Sequence, residues 1–336
     1  MNKFILIMLM SLSLFAAAFG TVTRYPDGVS SYGIPIPAND YMTTGVYYFV
    51  SSSDVKLGND ANNGTNTDWP YKTIDKAVNQ CTSGQGDVIF IMPGYKSTIV
   101  TSDLTLDVAG VRIVGLGKGN ARPQLTIGTT GTGTDIPVSG ENITLENIIF
   151  IPGIDGLDMV LDVKEAANDL TIRNCDFRGT SAIQIDNAIT VTNNVDRLSI
   201  VGNKVRQTTL GGESFIKLGL TAAPGSEMED IYIGYNDIVG DYSTANIANE
   251  SATMNDCLIE YNNIENLNAS DTCITINQQT DGTVRYNTLR IATDAKDSWI
   301  SGGGTSVNIN VQLYENWGVN SDGETGMKIG IKSTVD

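Results

Sequence analysis

Apolar and polar residues alternate over four to six positions in a series of short segments, each running into Asn, Asp or Gly. The segments read ITLENIIF, LTIRNCDF, LSIVGNKV, IYIGYNDI, CLIEYNNI and GTVRYNTL. Aligned on the central aliphatic residue, they place Leu145, Ile172, Ile200, Ile233, Ile259 and Val284 in one register. Three residues later stand Ile148, Cys175, Asn203, Asn236, Asn262 and Asn287, stepping by 27, 28, 33, 26 and 25 residues. A looser copy, VNINVQLYENW, follows from Val307. A period of two predicts strands, and no segment between the copies has the 3.6-residue period of a crossover helix, which excludes βαβ units. Strands repeating at this interval predict an all-β fold, a single-stranded right-handed parallel β-helix in which each coil adds its strands to long parallel sheets. Like residues then lie over like residues at about 4.8 Å.

The column of Asn203, Asn236, Asn262 and Asn287 is expected at a tight corner. Asn tolerates left-handed backbone angles, and its amide can bond the backbone and the Asn one rung away. In the first two copies Asn147 and Asn174 stand one position earlier, which predicts a shifted or broken ladder there. Just before the Asn column, Tyr235, Tyr261 and Tyr286 share a register that Asn147, Asn174 and Gly202 occupy on earlier rungs. Rings facing outward would make a strip suited to sugar rings, whereas rings stacked on one another would add cross-rung packing. These three tyrosines are the candidate substrate-binding residues.

A solenoid needs its ends covered, because terminal rungs expose apolar faces and strand edges. In YKTIDKAVNQC, Ile74, Ala77, Val78 and Cys81 share one helical face, predicting a short capping helix. GDVIFIMPGYK then reads as the first strand and VAGVRIVGLGKGNARPQLTIG as the first full turn. At the other end Met327, Ile329 and Ile331 alternate with Lys328, Gly330 and Lys332, predicting one more strand with no helix after it. That end is expected to be covered either by a partner (a second copy or another surface protein) or by the loop GVNSDGETG folding back.

Residues 1–20 join a positive start, MNK, to an apolar run and the small-x-small site Ala18-Phe19-Gly20. This is the pattern of a secretory signal peptide, and the run is short of the roughly 20 residues of a membrane span. The expected layout is an extended N-terminal segment over 21–48 and a β-helix domain over 49–336, its N-terminal cap at about 58–95. The chain carries 21 basic and 38 acidic residues, net −17. Loss of Lys3 with the leader leaves 20 against 38, or −18. Such a surface repels nucleic acid and anionic lipid, and disfavours polyanionic substrates in the absence of a local cation. There is no histidine, so the commonest general base and zinc ligand are both missing. The four cysteines, Cys81, Cys175, Cys257 and Cys273, show no CxxC spacing and read mainly as small buried apolar residues. A Cys257–Cys273 bridge is left open.

The stretch from GNDANNGTNTDWPYKTIDKAV to GDVIFIMPGYK resembles the opening of secreted β-helix proteins of the pectate-lyase-like superfamily. The residues that carry the resemblance are Gly58, Asp60, Asn62, Gly64 and Thr65, then Pro70, Thr73, Ile74 and Ala77, then Gly86, Asp87, Ile89, Pro93, Gly94 and Tyr95. The resemblance implies the fold. It says little of activity, since lyases, hydrolases, epimerases, adhesins and phage tail proteins share it. A further likeness links TVTRYPDGVSSYG to β-helix proteins encoded by marine tailed phages and implies a virion component. Lyases of the superfamily hold the substrate carboxylate through calcium on Asp or Glu and remove a proton with Arg or Lys. Here the basic residues of the coils, Lys164, Arg173, Arg178, Arg197, Lys204, Arg206, Lys217, Arg285 and Arg290, fall in no single register, and none is assigned as base. The hydrolase-type stretches are incomplete, for SGGGTS lacks the His and LRIATD lacks the Lys. Asp155 with Asp158, or Glu229 with Asp230, reads either as an acid/base couple or as solvated turn residues. Asp60 and Asn62 are the candidate calcium ligands, against an Asx-rich turn without metal. The expected function is an exported, non-catalytic protein for glycan binding or surface structure. The alternative is a polysaccharide lyase or glycoside hydrolase.

Overall fold

The computed structural model describes residues 29–31, 34–36, 43–52, 57–101, 103–128, 131–180, 182–219, 227–268, 272–277, 280–292, 299–303, 310–319 and 327–329. The chain forms two units, Met1–Met42 and Thr43–Asp336. In the first, Val29–Ser31 pairs antiparallel with Ile34–Ile36. Residues 1–20, and all of TVTRYPDGVSSYG except parts of that hairpin, lie outside the described residues.

The second unit is a parallel β-helix. One sheet has 11 strands and runs from Tyr47–Val50 to Asn310–Tyr314, and a branched 15-stranded sheet has Lys96–Ile99 and Met327–Ile329 at the ends of its main path. The predicted register is the observed one. Ile113, Leu145, Ile172, Ile200, Ile233, Ile259, Val284 and Leu313 lie over one another. The column extends back through Ile89 to Tyr48, so Tyr47–Val50, and not the strand in GDVIFIMPGYK, begins the sheet. YYFV carries no polar alternation and therefore no strand signal of its own. The column is buried from Ile89 to Val284, and each aliphatic side chain so removed from water contributes about 1.5–3 kcal/mol.

The corner differs from expectation by one residue. The left-handed positions are Asn147, Asn174, Gly202, Tyr235, Tyr261, Tyr286 and Glu315, with φ between 48° and 65°. The residue after each is buried, Ile148 and Cys175 on the first two rungs and then Asn203, Asn236, Asn262, Asn287 and Asn316. One left-handed residue reverses the chain, and the next side chain then meets the backbone groups that the reversal leaves in the interior. Asn203, Asn236, Asn262 and Asn287 each donate Nδ2 to the Oδ1 of the Asn one rung on, at 2.9–3.1 Å, and to a carbonyl on the preceding rung. The ladder reaches Asn316, whose Nδ2 donates to the Val284 carbonyl. It ends in the other direction where the Cys175 N–H donates to Asn203 Oδ1 at 2.9 Å.

The capping helix α1 spans Ile74–Val78 and buries Ile74, Ala77 and Val78, while the Thr73 side chain accepts from the Lys76 N–H. Cys81 lies beyond it, half-buried. The 58–73 loop closes the first strand edge, with Phe49 N–H on the Gly64 carbonyl at 2.7 Å and Tyr71 N–H on the Phe49 carbonyl at 2.8 Å. All four cysteines are free thiols, so Cys257 and Cys273 are not bridged. Burial pushes each thiol up to about 12. At the far end Met327–Ile329 is a strand, as predicted, and it runs antiparallel to Asn316–Val319. Ile331 and residues 320–326 of the proposed capping loop lie outside the described residues.

Candidate functional site

The tyrosines of the corner column form a ridge. Tyr235 and Tyr261 stack with ring centroids 5.0 Å apart and 13° between planes, and Tyr261 and Tyr286 likewise at 5.0 Å and 15°. The rings are 56%, 45% and 43% exposed. Their faces meet each other, so the ridge offers solvent ring edges rather than one flat aromatic plane. Each tyrosine holds a left-handed backbone that bulky residues seldom adopt, and each N–H donates to a carbonyl on the next rung, those of Glu260, Arg285 and Tyr314.

Polar groups line both flanks. On one, Glu260 is buried and accepts from Arg285 Nε at 2.7 Å and from the Tyr232 hydroxyl at 3.1 Å. Burial, then the hydrogen bond and charge of Glu260, push the Tyr232 phenol up to about 12. Gly234 makes room for that ring, since a Cβ there would lie 2.6 Å from the Tyr232 hydroxyl oxygen. The Arg285 guanidinium lies 5.7 Å from the Tyr286 ring centroid. On the other flank Asn263 Nδ2 donates to Asp237 at 2.8 Å, and Arg206 pairs with the same carboxylate. On the next rung Glu315 takes the left-handed position, flanked by the exposed rings of Tyr314 and Trp317. The sequence reading missed Tyr232, Tyr314 and Trp317. The looser copy VQLYENW was the available signal for the last two.

A second polar cluster occupies Leu157–Val163, Ile185–Val191 and Lys204–Leu218, where Asp162, Thr190 and Lys217 stand on consecutive rungs. Lys217 Nζ is 2.9 Å from Glu213 and 3.2 Å from Glu250. Burial lowers its pKa, but the two carboxylates outweigh burial and hold the ammonium above its ordinary value. Asp162 is buried and pairs with Lys164 through Oδ2, while its Oδ1 has no hydrogen-bond partner among the described residues. Asp135 lies beside it, its carboxyl raised by burial and then by the Asp162 charge. Alignment did not expose this cluster, because its members lie outside the repeated segments.

Of the carboxylates singled out in the sequence, Asp155 and Asp230 lie in turns or bends and Asp158 and Glu229 in strands. Asp155 accepts the Gln184 N–H at 3.2 Å, Asp158 is exposed, and Asp230 is an exposed left-handed residue beside Glu229. Eight of the nine basic residues considered for catalysis lie in ion pairs, and Lys204 has none among the described residues. Asp60 accepts from the Lys72 and Thr73 N–H groups, both at 2.9 Å, and from the Thr73 hydroxyl at 3.2 Å. Asn62 donates to the Leu57 and Pro70 carbonyls. Both residues thus brace the loop before α1. Among the described residues no group of three or more acidic, His or Cys side chains is arranged to hold a metal ion.

No family model matches the sequence, and no curated protein matches it. Among solved structures the chain is similar to a rhamnogalacturonan lyase, with 12% sequence identity, a TM-score of 0.40, and coverage of 81% of this chain and 87% of that one.

Proposed function

We propose that this is an exported β-helix protein that binds a neutral polysaccharide or cell-surface glycan along the tyrosine corner without cleaving it. The observation that carries the reading is the occupancy of the left-handed column. Asn and Gly fill it at Asn147, Asn174 and Gly202, then tyrosine takes it on three consecutive rungs. A left-handed backbone costs an L-residue with a bulky side chain roughly 1–2 kcal/mol, and each aromatic pair returns about 0.5–1.5 kcal/mol. Folding therefore gains little from the exchange, and what distinguishes the rungs is a row of exposed phenols at rung spacing between polar flanks. Phenol edges and hydroxyls, with Glu260, Arg285 and Asn263 beside them, match the mixed apolar and hydroxyl surface of a sugar chain. The net charge of −17 favours a neutral ligand over a polyanion. The leader-like residues 1–20 support export, and placement on a cell or virion surface follows from the same reading.

The test uses the protein's own alternatives. Tyr261→Asn and the triple Tyr→Asn variant put into the column the residue found at Asn147 and Asn174. Affinity electrophoresis against a panel of neutral polysaccharides should show retardation of the wild type, at least tenfold weaker in the triple variant, with melting temperature nearly unchanged. Equal retardation of both proteins would sink the reading.

The second reading, a polysaccharide lyase or glycoside hydrolase, draws on the Asp135–Asp162 and Lys217 cluster. It ranks lower on chemistry. A lysine base must be depressed to accept a proton near neutral pH, and Lys217 is raised. Asp162 is already paired with Lys164, so the Asp135–Asp162 cluster offers no pair of free carboxyls of the kind glycosidases use. Ultraviolet absorbance from unsaturated sugars, or release of reducing ends, in the presence of calcium would reverse this order.

A further inference from the structure

The ends of the two sheets are treated differently. The first strand of the 11-stranded sheet is closed by the loop at Gly64 and Tyr71. The first strand of the other sheet, Lys96–Ile99, pairs only with Gln124–Ile127 among the described residues. The Tyr95 and Ile99 carbonyls accept from that neighbour. In a parallel ladder residues alternate in direction, so the N–H and C=O groups of Lys96 and Thr98 point the other way. Beside this open edge lies a cleft of about 360 Å³, with Ile74, Ile99 and Leu104 as apolar lining and Asp75 and Asp103 as charged lining. Asp107 is near enough to raise the Asp75 carboxyl further, burial being the larger cause. The site has the form of a strand-addition groove that is apolar within and acidic at the rim.

The opposite end of the same sheet carries a strand with the matching composition. Met327–Ile329 is the last strand of the 15, and among the described residues it pairs only with Asn316–Val319. Its sequence, Met-Lys-Ile, continues as Gly330, Ile331 and Lys332, alternating apolar residues with lysine. We infer that copies of the protein associate end to end, the strand Met327–Ile329 of one copy adding to the open edge of Lys96–Ile99 in the next. The joined surfaces differ, so the contact is heterologous and propagates as an open series rather than closing as a dimer. Joining the two ends of one sheet continues its ladder, and lysine against Asp75 and Asp103 sets the pairing apart from non-specific edge contact. The inference is independent of what the tyrosine ridge binds.

Cysteine cross-linking reads the geometry directly. In a Cys81→Ser background the remaining native thiols are buried, and Thr98→Cys and Lys328→Cys each add one at an edge. Under mild oxidation an equal mixture of the two single variants should give covalent dimer and nothing larger. The double variant should give a ladder of multimers, and Thr98→Cys alone no dimer. Dimer from Thr98→Cys alone would overturn the head-to-tail arrangement. In sedimentation velocity of the uncross-linked chain, Asp103→Lys and Lys328→Glu should each abolish concentration-dependent growth, and their combination should restore it. A strict monomer at all concentrations, with the Lys96 and Thr98 amides protected from hydrogen exchange, would mean that the same chain covers the edge, and would overturn the inference.

Discussion

At the residue scale, what distinguishes this protein is which side chain occupies an otherwise fixed backbone position. The corner column requires a left-handed residue, and Asn, Gly, Tyr and Glu all fill it. Because stacking returns no more than the strain costs there, Tyr→Asn is expected to separate binding from folding, which makes it the informative substitution. Asp135 is a second case. Its carboxyl is raised in the folded chain, by burial and then by the Asp162 charge. Above the ordinary value of about 3.9, the folded state carries the cost of that ionised group, and as pH falls through the raised value the folded state takes up the proton first. The wild type therefore regains relative stability on acidification. Asp135→Asn should melt higher than the wild type at pH 7, and the two melting curves should converge below pH 4. A variant that melts lower at pH 7 would show that Asp135 stabilises the fold as a carboxylate.

At the scale of elements, the Asn ladder behaves as one object. The Asn236 side chain accepts from the backbone and side chain of Asn203 and donates to Asn262 and the Ile200 carbonyl. Asn236→Leu leaves several buried groups without partners, at about 1–3 kcal/mol each, so a loss on the order of 3–5 kcal/mol is expected in denaturant unfolding. Asn316, at the ladder's end, has no amide neighbour beyond it among the described residues, and Asn316→Leu should cost less. Equal losses would argue against a cumulative ladder. The cap makes a comparable claim. Asp60 receives three hydrogen bonds from Lys72 and Thr73. Asp60→Ala should lower stability by about 1–2 kcal/mol, in the range of a lost helix cap. Because the polypeptide already supplies the carboxylate's partners, chelation with EDTA should leave the wild-type melting temperature in place. A drop on chelation, reversed by calcium, would instead make Asp60 and Asn62 metal ligands.

At the scale of the whole molecule, the sheets that make the solenoid stable also leave it with ends, and the two ends of the longer sheet carry complementary composition. The repeat itself was legible in the sequence. Stacked coils force like residues into columns, so the Leu145 to Val284 register, the inward Asn column, α1 and the strand at Met327 could all be read from spacing. What the sequence left open depended on contacts between segments with no common pattern. The left-handed position fell on the residue before each Asn, because local propensity favours Asn while the inward side chain is chosen by the backbone groups it must bond. YYFV became the first strand because VIFI lies beside it, not through any period of its own. Whether the tyrosines stack or lie flat was decided by rung spacing, which sets their faces about 5 Å apart. The Asp135, Asp162 and Lys217 cluster arose from residues outside the aligned segments. Alternation and repeat length determined the solenoid, since both are local consequences of strand geometry. Partners across rungs and at the sheet ends were decided only by the tertiary structure, since they depend on which distant residues the coiling brings within a few ångströms.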